Sequence, residues 1–235
     1  TDTDTDTDTD VEPEKARLSG TITDVDGNPV SARVQMCLGS CYAASTDENG
    51  FYDFDKNLPP ATYAFEIVPD DVGWAVGFTP LTVAAGGDVV QDGTAIQFPS
   101  YSPLPSSAGY VDMGDGVSVE VDPDDFKVPF GTEIDQFGAV LVPEAFRLPV
   151  EMADVEILAM FYLGPFDGHP ESGATMNFKI ANTFGGTDGA SYQVYGGRYT
   201  NATFDDLGVY QMVDGVISGS GLSELSTVLV TNASD

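Results

Sequence analysis

The chain has 235 residues, of which 42% are hydrophobic, and a formal net charge of −30 at pH 7. Residues 1–14 hold seven of the 38 acids, so 31 acids and eight bases leave −23 on the remainder. Such a surface repels phosphate backbones and anionic lipids, which argues against nucleic-acid and acidic-membrane partners. The 26 Gly and 15 Pro leave little room for long helices. We therefore predict an all-β protein of two consecutive β-sandwich domains, each long enough to bury a core.

Residues 1–10 alternate Thr and Asp, and we assign residues 1–16 to an acidic N-terminal segment. One interpretation is a self-repelling spacer. Spacers of this kind resemble the stretch after the lipid-modified cysteine of bacterial surface lipoproteins, which would place a lipid anchor upstream of Thr1. The alternation also has the period of a β-strand and could form an assembly strand that adds to an open sheet edge. Its acceptor-facing residues would be Thr1, Thr3, Thr5, Thr7 and Thr9.

Residues 17–99 are predicted to form the first sandwich. They contain the segments LSGTITDVDGNPV at 18–30, STDENGFYDF at 45–54 and LPPATYAFEIV at 58–68. Asn49-Gly50 is a hairpin turn signal, and the third segment alternates apolar residues with Ala64 and Glu66. Together these segments resemble the carboxypeptidase regulatory-like domain, a transthyretin-like β-sandwich of bacterial secreted proteins and surface lipoproteins. The resemblance implies a scaffold without catalytic residues.

Both cysteines lie in the sequence Cys37-Leu-Gly-Ser-Cys41. A zinc site needs four ligands, and the chain has one histidine. If the three intervening residues form a hairpin loop, the two cysteines lie opposite each other within disulfide range. We therefore predict a Cys37–Cys41 disulfide and an oxidising, extracellular or cell-surface location.

The Pro- and Ser-rich residues 100–109 are predicted to be a linker, and residues 110–235 a second sandwich or barrel-like domain. Alternating apolar residues occur around Val119 and Phe178, and further apolar bursts recur to the C-terminus. Residues 165–230 are faintly similar to ZU5-like sandwich domains. No apolar run is long enough for a membrane-spanning helix, and no signal peptide is present, so we expect a mature chain without a transmembrane segment.

No catalytic constellation emerges from the sequence. His169 lies in a turn-forming context before a proline, and no nucleophile elbow or phosphate-binding loop is present. Tyr192, Tyr195 and Tyr199 are candidates for a carbohydrate platform, but Tyr192 and Tyr195 have opposite strand parity, which favours packing roles.

Calcium is the most plausible cation. The segment from Asp24 to Asn28 begins like an EF-hand loop but lacks its later glycine and glutamate, so a tight turn is the better interpretation. A second oxygen-rich group lies around a predicted hairpin, and it is the weak calcium candidate: Asp112, Asp115, Asp122, Asp124 and Asp125.

The sequence therefore predicts a non-catalytic extracellular or cell-surface structural or adhesive protein. It would associate with itself or with other surface proteins, forming a filament or array through its N-terminal segment. A carbohydrate- or calcium-binding surface module is one alternative, and accessory domains of a secreted hydrolase are another.

Overall fold

The computed structural model describes residues 13–55, 57–128, 137–152 and 155–233. The residues of the proposed assembly strand, from Thr1 to Thr9, lie outside these ranges. In chain order the strands are β1 (Arg17–Thr23), β2 (Ala32–Leu38), β3 (Ser40–Ser45), β4 (Phe51–Asp53), β5 (Ala61–Pro69), β6 (Gly77–Val83), β7 (Asp88–Val90), β8 (Gly93–Thr94), β9 (Gly109–Gly114), β10 (Val117–Val121), β11 (Phe126–Lys127), β12 (Gly138–Leu141), β13 (Ile157–Gly164), β14 (His169–Pro170), β15 (Met176–Ala181), β16 (Ser191–Arg198), β17 (Thr203–Val213), β18 (Val216–Leu222) and β19 (Thr227–Asn232). Short 3-10 helices occupy Glu144–Phe146 and Tyr199–Asn201. The predicted all-β class is confirmed.

The first sandwich is built from β1 to β8. One sheet has the order β4-β1-β7, with β8 also pairing with β1, and the facing sheet has the order β3-β2-β5-β6. Between them lie the buried side chains of Leu18, Ile22, Val34, Tyr52 and Phe65. The alternation of apolar residues along β1 and β2 supplies this core, because successive side chains of a strand point to opposite faces.

The second sandwich is one long sheet that bends back on itself. Its order is β12-β13-β19-β16-β17-β18-β15-β10-β9, and β11 pairs separately with β14. The bend lies at β17, which pairs with β16 over most of its length but with β18 only at Met212 and Val213. The core between the two halves includes Val119, Phe161 and Phe178.

Two hairpins of the second sandwich turn on Asp-Gly pairs. Asp115 and Gly116, between β9 and β10, have φ of 45° and 77°, and Asp214 and Gly215, between β17 and β18, have φ of 51° and 72°. Left-handed conformations at both central residues define the tight turn whose twist matches antiparallel strands, and Asp-Gly is a preferred sequence for it.

The hydrophobic core of the first sandwich extends into the second. The cluster that fills the first sandwich also contains Met160 and Tyr162 of β13 and Leu229 of β19. The alternate residues of β13, among them Phe161, belong to the core of the second sandwich. Strand β13 is therefore buried on both faces, which explains why its sequence is an almost continuous apolar run.

Strand β5 is buried on both faces. Tyr63, Phe65 and Ile67 alternate with Ala64 and Glu66, and all five residues are buried. Ala64 packs in a small cluster with Phe78 and Ala202, and Ala202 belongs to the second sandwich. The face of β5 that would otherwise contact water is therefore covered by the neighbouring sandwich.

Candidate functional site

Three carboxyl groups are buried where the two sandwiches meet. Glu66 lies on β5 of the first sandwich, Asp167 on the loop after β13, and Glu224 just before β19. Their exposed fractions are 3%, 6% and 6%. Because acids are seldom fully buried without a partner, this grouping is the most unusual chemical feature among the described residues.

Backbone pairing fixes the two acids of the second sandwich beside each other. The Asp167 amide donates to the carbonyl of Leu225 at 2.8 Å, and the Leu225 amide donates to the carbonyl of Gly168 at 2.8 Å. The Glu224 carboxylate accepts a hydrogen bond from the Tyr199 amide at 2.6 Å. The loop that carries Asp167 is thus held against the segment that carries Glu224.

His169 adds a titratable ring to this group. Its Nδ1 lies 2.6 Å from the carbonyl oxygen of Asp167 and 3.7 Å from the Asp167 carboxylate. The backbone contact holds the ring within its own loop, where β14 pairs with β11. His169 is therefore a satisfied loop residue that also lies close to a buried acid.

Glu66 differs from the other two acids because its Oε1 is buried and has no hydrogen-bond partner among the described residues. Burial, together with the negative charges of Asp167 and Glu224, raises the pKa of Glu66 to about 8, although Arg33 acts in the opposite direction. Burial likewise raises the pKa of Glu224 to about 7, against the hydrogen bond from Tyr199. Burial also raises the pKa of Asp167, with His169 acting in the opposite direction. Removing a carboxylate from water disfavours its charged form, so Glu66 retains its proton at neutral pH.

Glu66 forms part of the wall of a pocket of about 180 Å³ between the sandwiches. Neither Asp167 nor Glu224 reaches that wall, so the pocket does not present two facing carboxylates. The rings of Phe166 and Tyr199 stand edge to face with centroids 5.8 Å apart. The residues that line the pocket are Arg33, Gln35, Cys41, Glu66, Val68, Val76, Phe166 and Tyr199.

Cys37 and Cys41 form a disulfide across the β2–β3 hairpin, with their Cα atoms 4.1 Å apart. The two residues are direct register partners. The Tyr199 hydroxyl lies 3.5 Å from Cys41 Sγ and is the donor there, because a disulfide sulfur carries no hydrogen. The disulfide hairpin therefore borders the pocket that contains Glu66.

The weak calcium candidates fall into two groups along the β9–β10 hairpin. Asp112 and Asp115 lie on β9 and its turn, whereas Asp122, Asp124 and Asp125 follow the far end of β10, whose five residues span roughly 17 Å. Within the described ranges no three His, Cys, Asp or Glu side chains are arranged to hold a metal ion.

The carboxylates of these candidates instead accept hydrogen bonds from the chain itself. Asp115 accepts from the Leu141 amide at 2.7 Å, and Asp125 accepts from the amide and hydroxyl of Ser172. Asp112 and Asp122 accept from nearby turn amides. Asp24 does the same in its own turn, where it binds the amides of Asp26 and Asn28.

The three candidate tyrosines do not form a platform. Tyr192 is buried in the core of the second sandwich, and Tyr195 packs on the opposite side against the shared core. Tyr199 lies apart from both and lines the Glu66 pocket. The opposite strand parity of Tyr192 and Tyr195 already indicates this separation.

Sequence reasoning missed Glu66, Asp167 and Glu224. Their grouping depends on contacts between β5 and two segments about 100 and 160 residues further along the chain. One signal was present, since Glu66 stands within an otherwise apolar stretch from Tyr63 to Val68. Its meaning depends on which sandwich face is covered, and the strand pattern does not report that.

No family model and no curated protein matches the sequence. The carboxypeptidase regulatory-like resemblance of residues 17–99 therefore stays a prediction.

Among solved structures, a DUF3823 family protein from Parabacteroides merdae ATCC 43184 is 10% identical, with a TM-score of 0.29, covering 89% of this chain and 81% of that chain. A DUF3823 family protein from Bacteroides ovatus ATCC 8483 is 13% identical, with a TM-score of 0.29 and coverages of 93% and 98%. The major pilin subunit of Bacillus cereus is 10% identical, with a TM-score of 0.31 and coverages of 89% and 86%. These similarities assign no function to this chain.

Proposed function

We propose that this chain is a non-catalytic structural or adhesive protein of the cell surface. The observation that carries the proposal is the core shared by the two sandwiches, in which Met160, Tyr162 and Leu229 of the second join the buried side chains of the first. Domains joined by a short linker move relative to each other unless their interface is large and apolar. A rigid two-sandwich unit suits a strut or stalk, which must transmit force without hinging.

Two further features support a location outside the cytoplasm. The Cys37–Cys41 disulfide persists in oxidising compartments. The net charge of −30 keeps a surface protein soluble and separate from anionic lipid. In the described ranges, no helix is long and apolar enough to cross a membrane.

Protease treatment of intact source cells tests the location. We expect peptides of this chain to be released from intact cells by trypsin and identified by mass spectrometry, with a cytoplasmic protein as the control that appears only after lysis. Release that requires lysis would contradict a surface role. Negative-stain microscopy of the native material tests the structural role, because a strut should be found in filaments or arrays.

A panel of glycoside and peptide substrates tests the non-catalytic assignment. We expect no turnover above the buffer blank for the purified chain. Turnover that is lost in a Glu66→Gln or Asp167→Asn variant would overturn the assignment and favour an acid-dependent hydrolase.

A further inference from the structure

The pocket beside the disulfide hairpin brings three kinds of surface together. Val68 and Val76 provide an apolar wall, Phe166 and Tyr199 provide aromatic rings, and Glu66 provides a carboxyl group. A long aliphatic chain with a polar end group would match such a combination, because its stem contacts apolar side chains while its head meets the polar group.

The charges around the pocket determine whether a positive or a negative end group would bind there. Glu66 has Asp167 and Glu224 as near neighbours, and both are buried. Arg198, whose charge lowers the pKa of Glu224, already pairs with Asp205 at 3.1 Å. His169 contacts the loop of Asp167 and does not line the pocket. Once they are ionised, the three acids outnumber the cations that face them, and an incoming cation is then attracted.

Arg33 is the opposing charge at the pocket. It is exposed, and with the Gln35 amide oxygen turned toward it, its Nε and Nη2 donate to that oxygen at 2.9 and 3.0 Å. The guanidinium is thus directed along β2 at a neutral partner. Glu66 is only 3% exposed, and its Oε1 has no hydrogen-bond partner within the described part of the chain.

We propose that this pocket binds a primary alkylammonium group, with the ammonium on Glu66, its alkyl stem along Val68 and Val76, and the rings of Phe166 and Tyr199 beside it. An ammonium group has three hydrogen-bond donors and no acceptor. It therefore complements a buried carboxylate, which has acceptors but no donor. Aromatic faces attract a cation in a partly desolvated site. The group is supplied either by a free alkyl amine or by a lysine side chain of a partner protein.

The proposal carries a pH signature. Because Glu66 holds its proton at neutral pH, an arriving ammonium must displace that proton, and only the ionised fraction binds. An alkylammonium itself stays charged up to about pH 10. Affinity should therefore rise steeply from pH 6 to pH 8 and level off above, whereas a neutral ligand such as a sugar would show no such rise.

Isothermal titration of the full chain with n-butylammonium chloride at constant ionic strength tests this inference. We expect affinity to increase more than tenfold between pH 6 and pH 8. At pH 8 the Glu66→Gln variant should bind at least tenfold more weakly. The control is Glu48→Gln, which makes the same substitution at an exposed turn and should bind like the wild type.

n-Butanol serves as the neutral probe, and blocked lysine (Nα-acetyl-lysine methylamide) distinguishes the two sources of the ammonium. Binding of blocked lysine assigns the site to a protein partner, and its exclusion while n-butylammonium binds assigns it to free amines. Equal binding of n-butanol, equal losses in the Glu66→Gln and Glu48→Gln variants, or affinity independent of pH in the wild type would each overturn the proposal. The wild-type pH series keeps the test decisive even where the Glu66→Gln variant folds poorly.

Discussion

Thr227 of the second sandwich closes the free edge of the first at Phe78. Its hydroxyl donates to the Phe78 carbonyl at 2.8 Å and accepts from the Phe78 amide at 3.3 Å. Phe78 lies on β6, the last strand of its sheet, and both residues are buried. An edge strand normally exposes such groups to water or to another chain. Here one threonine satisfies both and joins the two sandwiches.

Replacing Thr227 with valine should therefore destabilise the whole unit. The substitution keeps the side-chain shape but leaves the buried amide and carbonyl of Phe78 without a partner, which should lower the free energy of unfolding by about 1–3 kcal/mol. Urea unfolding followed by tryptophan fluorescence measures the change.

The control for this substitution is Thr62→Val on β5. Thr62 is exposed, and its hydroxyl contacts that of Thr82 at 2.8 Å. A surface change of this kind should stay within about 0.5 kcal/mol. Similar effects of the two substitutions would show that the Thr227 contact with Phe78 does not stabilise the junction.

Glu66 should make the protein less stable as pH rises. Its folded pKa of about 8 lies above the usual value of a glutamate, so the folded state binds a proton more tightly than the unfolded state does. The contribution of Glu66 to stability is therefore largest below about pH 4.5, decreases as the pH rises to about 8 and changes little above. Each unit of pKa difference corresponds to about 1.4 kcal/mol, so the loss attributable to Glu66 should reach a few kcal/mol.

The Glu66→Gln variant should lose most of this pH dependence between pH 5 and pH 8, as measured by urea unfolding at several pH values. Glu224, whose pKa is raised to about 7, should keep part of the slope in that variant. Glu48→Gln is again the control and should follow the wild-type curve. Parallel curves for Glu66→Gln and the wild type would mean that Glu66 titrates as it does in water.

Much of the fold can be predicted from local pattern. The alternation of Val117, Val119 and Val121 places them in the core, as does that of Met176, Phe178 and Ile180. Strand period and turn chemistry are properties of neighbouring residues, so they can be read from a single sequence. The same locality accounts for the spacing argument that pairs Cys37 with Cys41.

The candidate site could not be predicted, because it depends on which faces the two sandwiches present to each other. Ala64 and Glu66 alternate with core residues of β5, and the second sandwich covers them. Ala64 packs in a cluster with Ala202, and Phe166 and Tyr199 line the same pocket as Glu66. In the calcium candidate group, proximity in sequence does not give proximity in space. Asp112 and Asp125 are close in sequence, but an extended strand separates their ends of the hairpin.

Because Cys37 and Cys41 form a disulfide, neither cysteine should react with an alkylating reagent. Intact mass under denaturing, non-reducing conditions should show no alkylated thiol, since no free cysteine remains. Replacing both cysteines with alanine should cost about 2 kcal/mol, because the closed loop is short. Two alkylated thiols in native secreted material would contradict both the disulfide and the extracellular assignment.

Salt should stabilise the protein by screening. With a net charge of −30, self-repulsion raises the free energy of the compact state at low ionic strength, and added NaCl should raise the melting temperature. CaCl2 at equal ionic strength should give the same shift, because the described carboxylates are not grouped as metal ligands. A saturable extra shift with calcium, lost in an Asp122→Asn, Asp125→Asn variant, would instead establish a site on the β10 end of the hairpin.

The Thr-Asp segment provides the last prediction, which concerns assembly. Its two-residue period would let Thr1, Thr3, Thr5, Thr7 and Thr9 share one face of a strand added to a neighbouring subunit. With β6 closed by Thr227, the open edges of the first sandwich in the described chain include β3 and β4, which end their sheets. A strand that enters another subunit makes a head-to-tail contact, which grows a fibre unless its rotation closes a ring.

Deleting residues 1–10 should therefore reduce the particle size measured by light scattering. A chain in which those ten residues are replaced by a Gly-Ser segment of equal length separates strand pattern from spacer length. If the deleted and replaced chains both assemble like the full chain, the segment is a spacer and the assembly contact lies elsewhere.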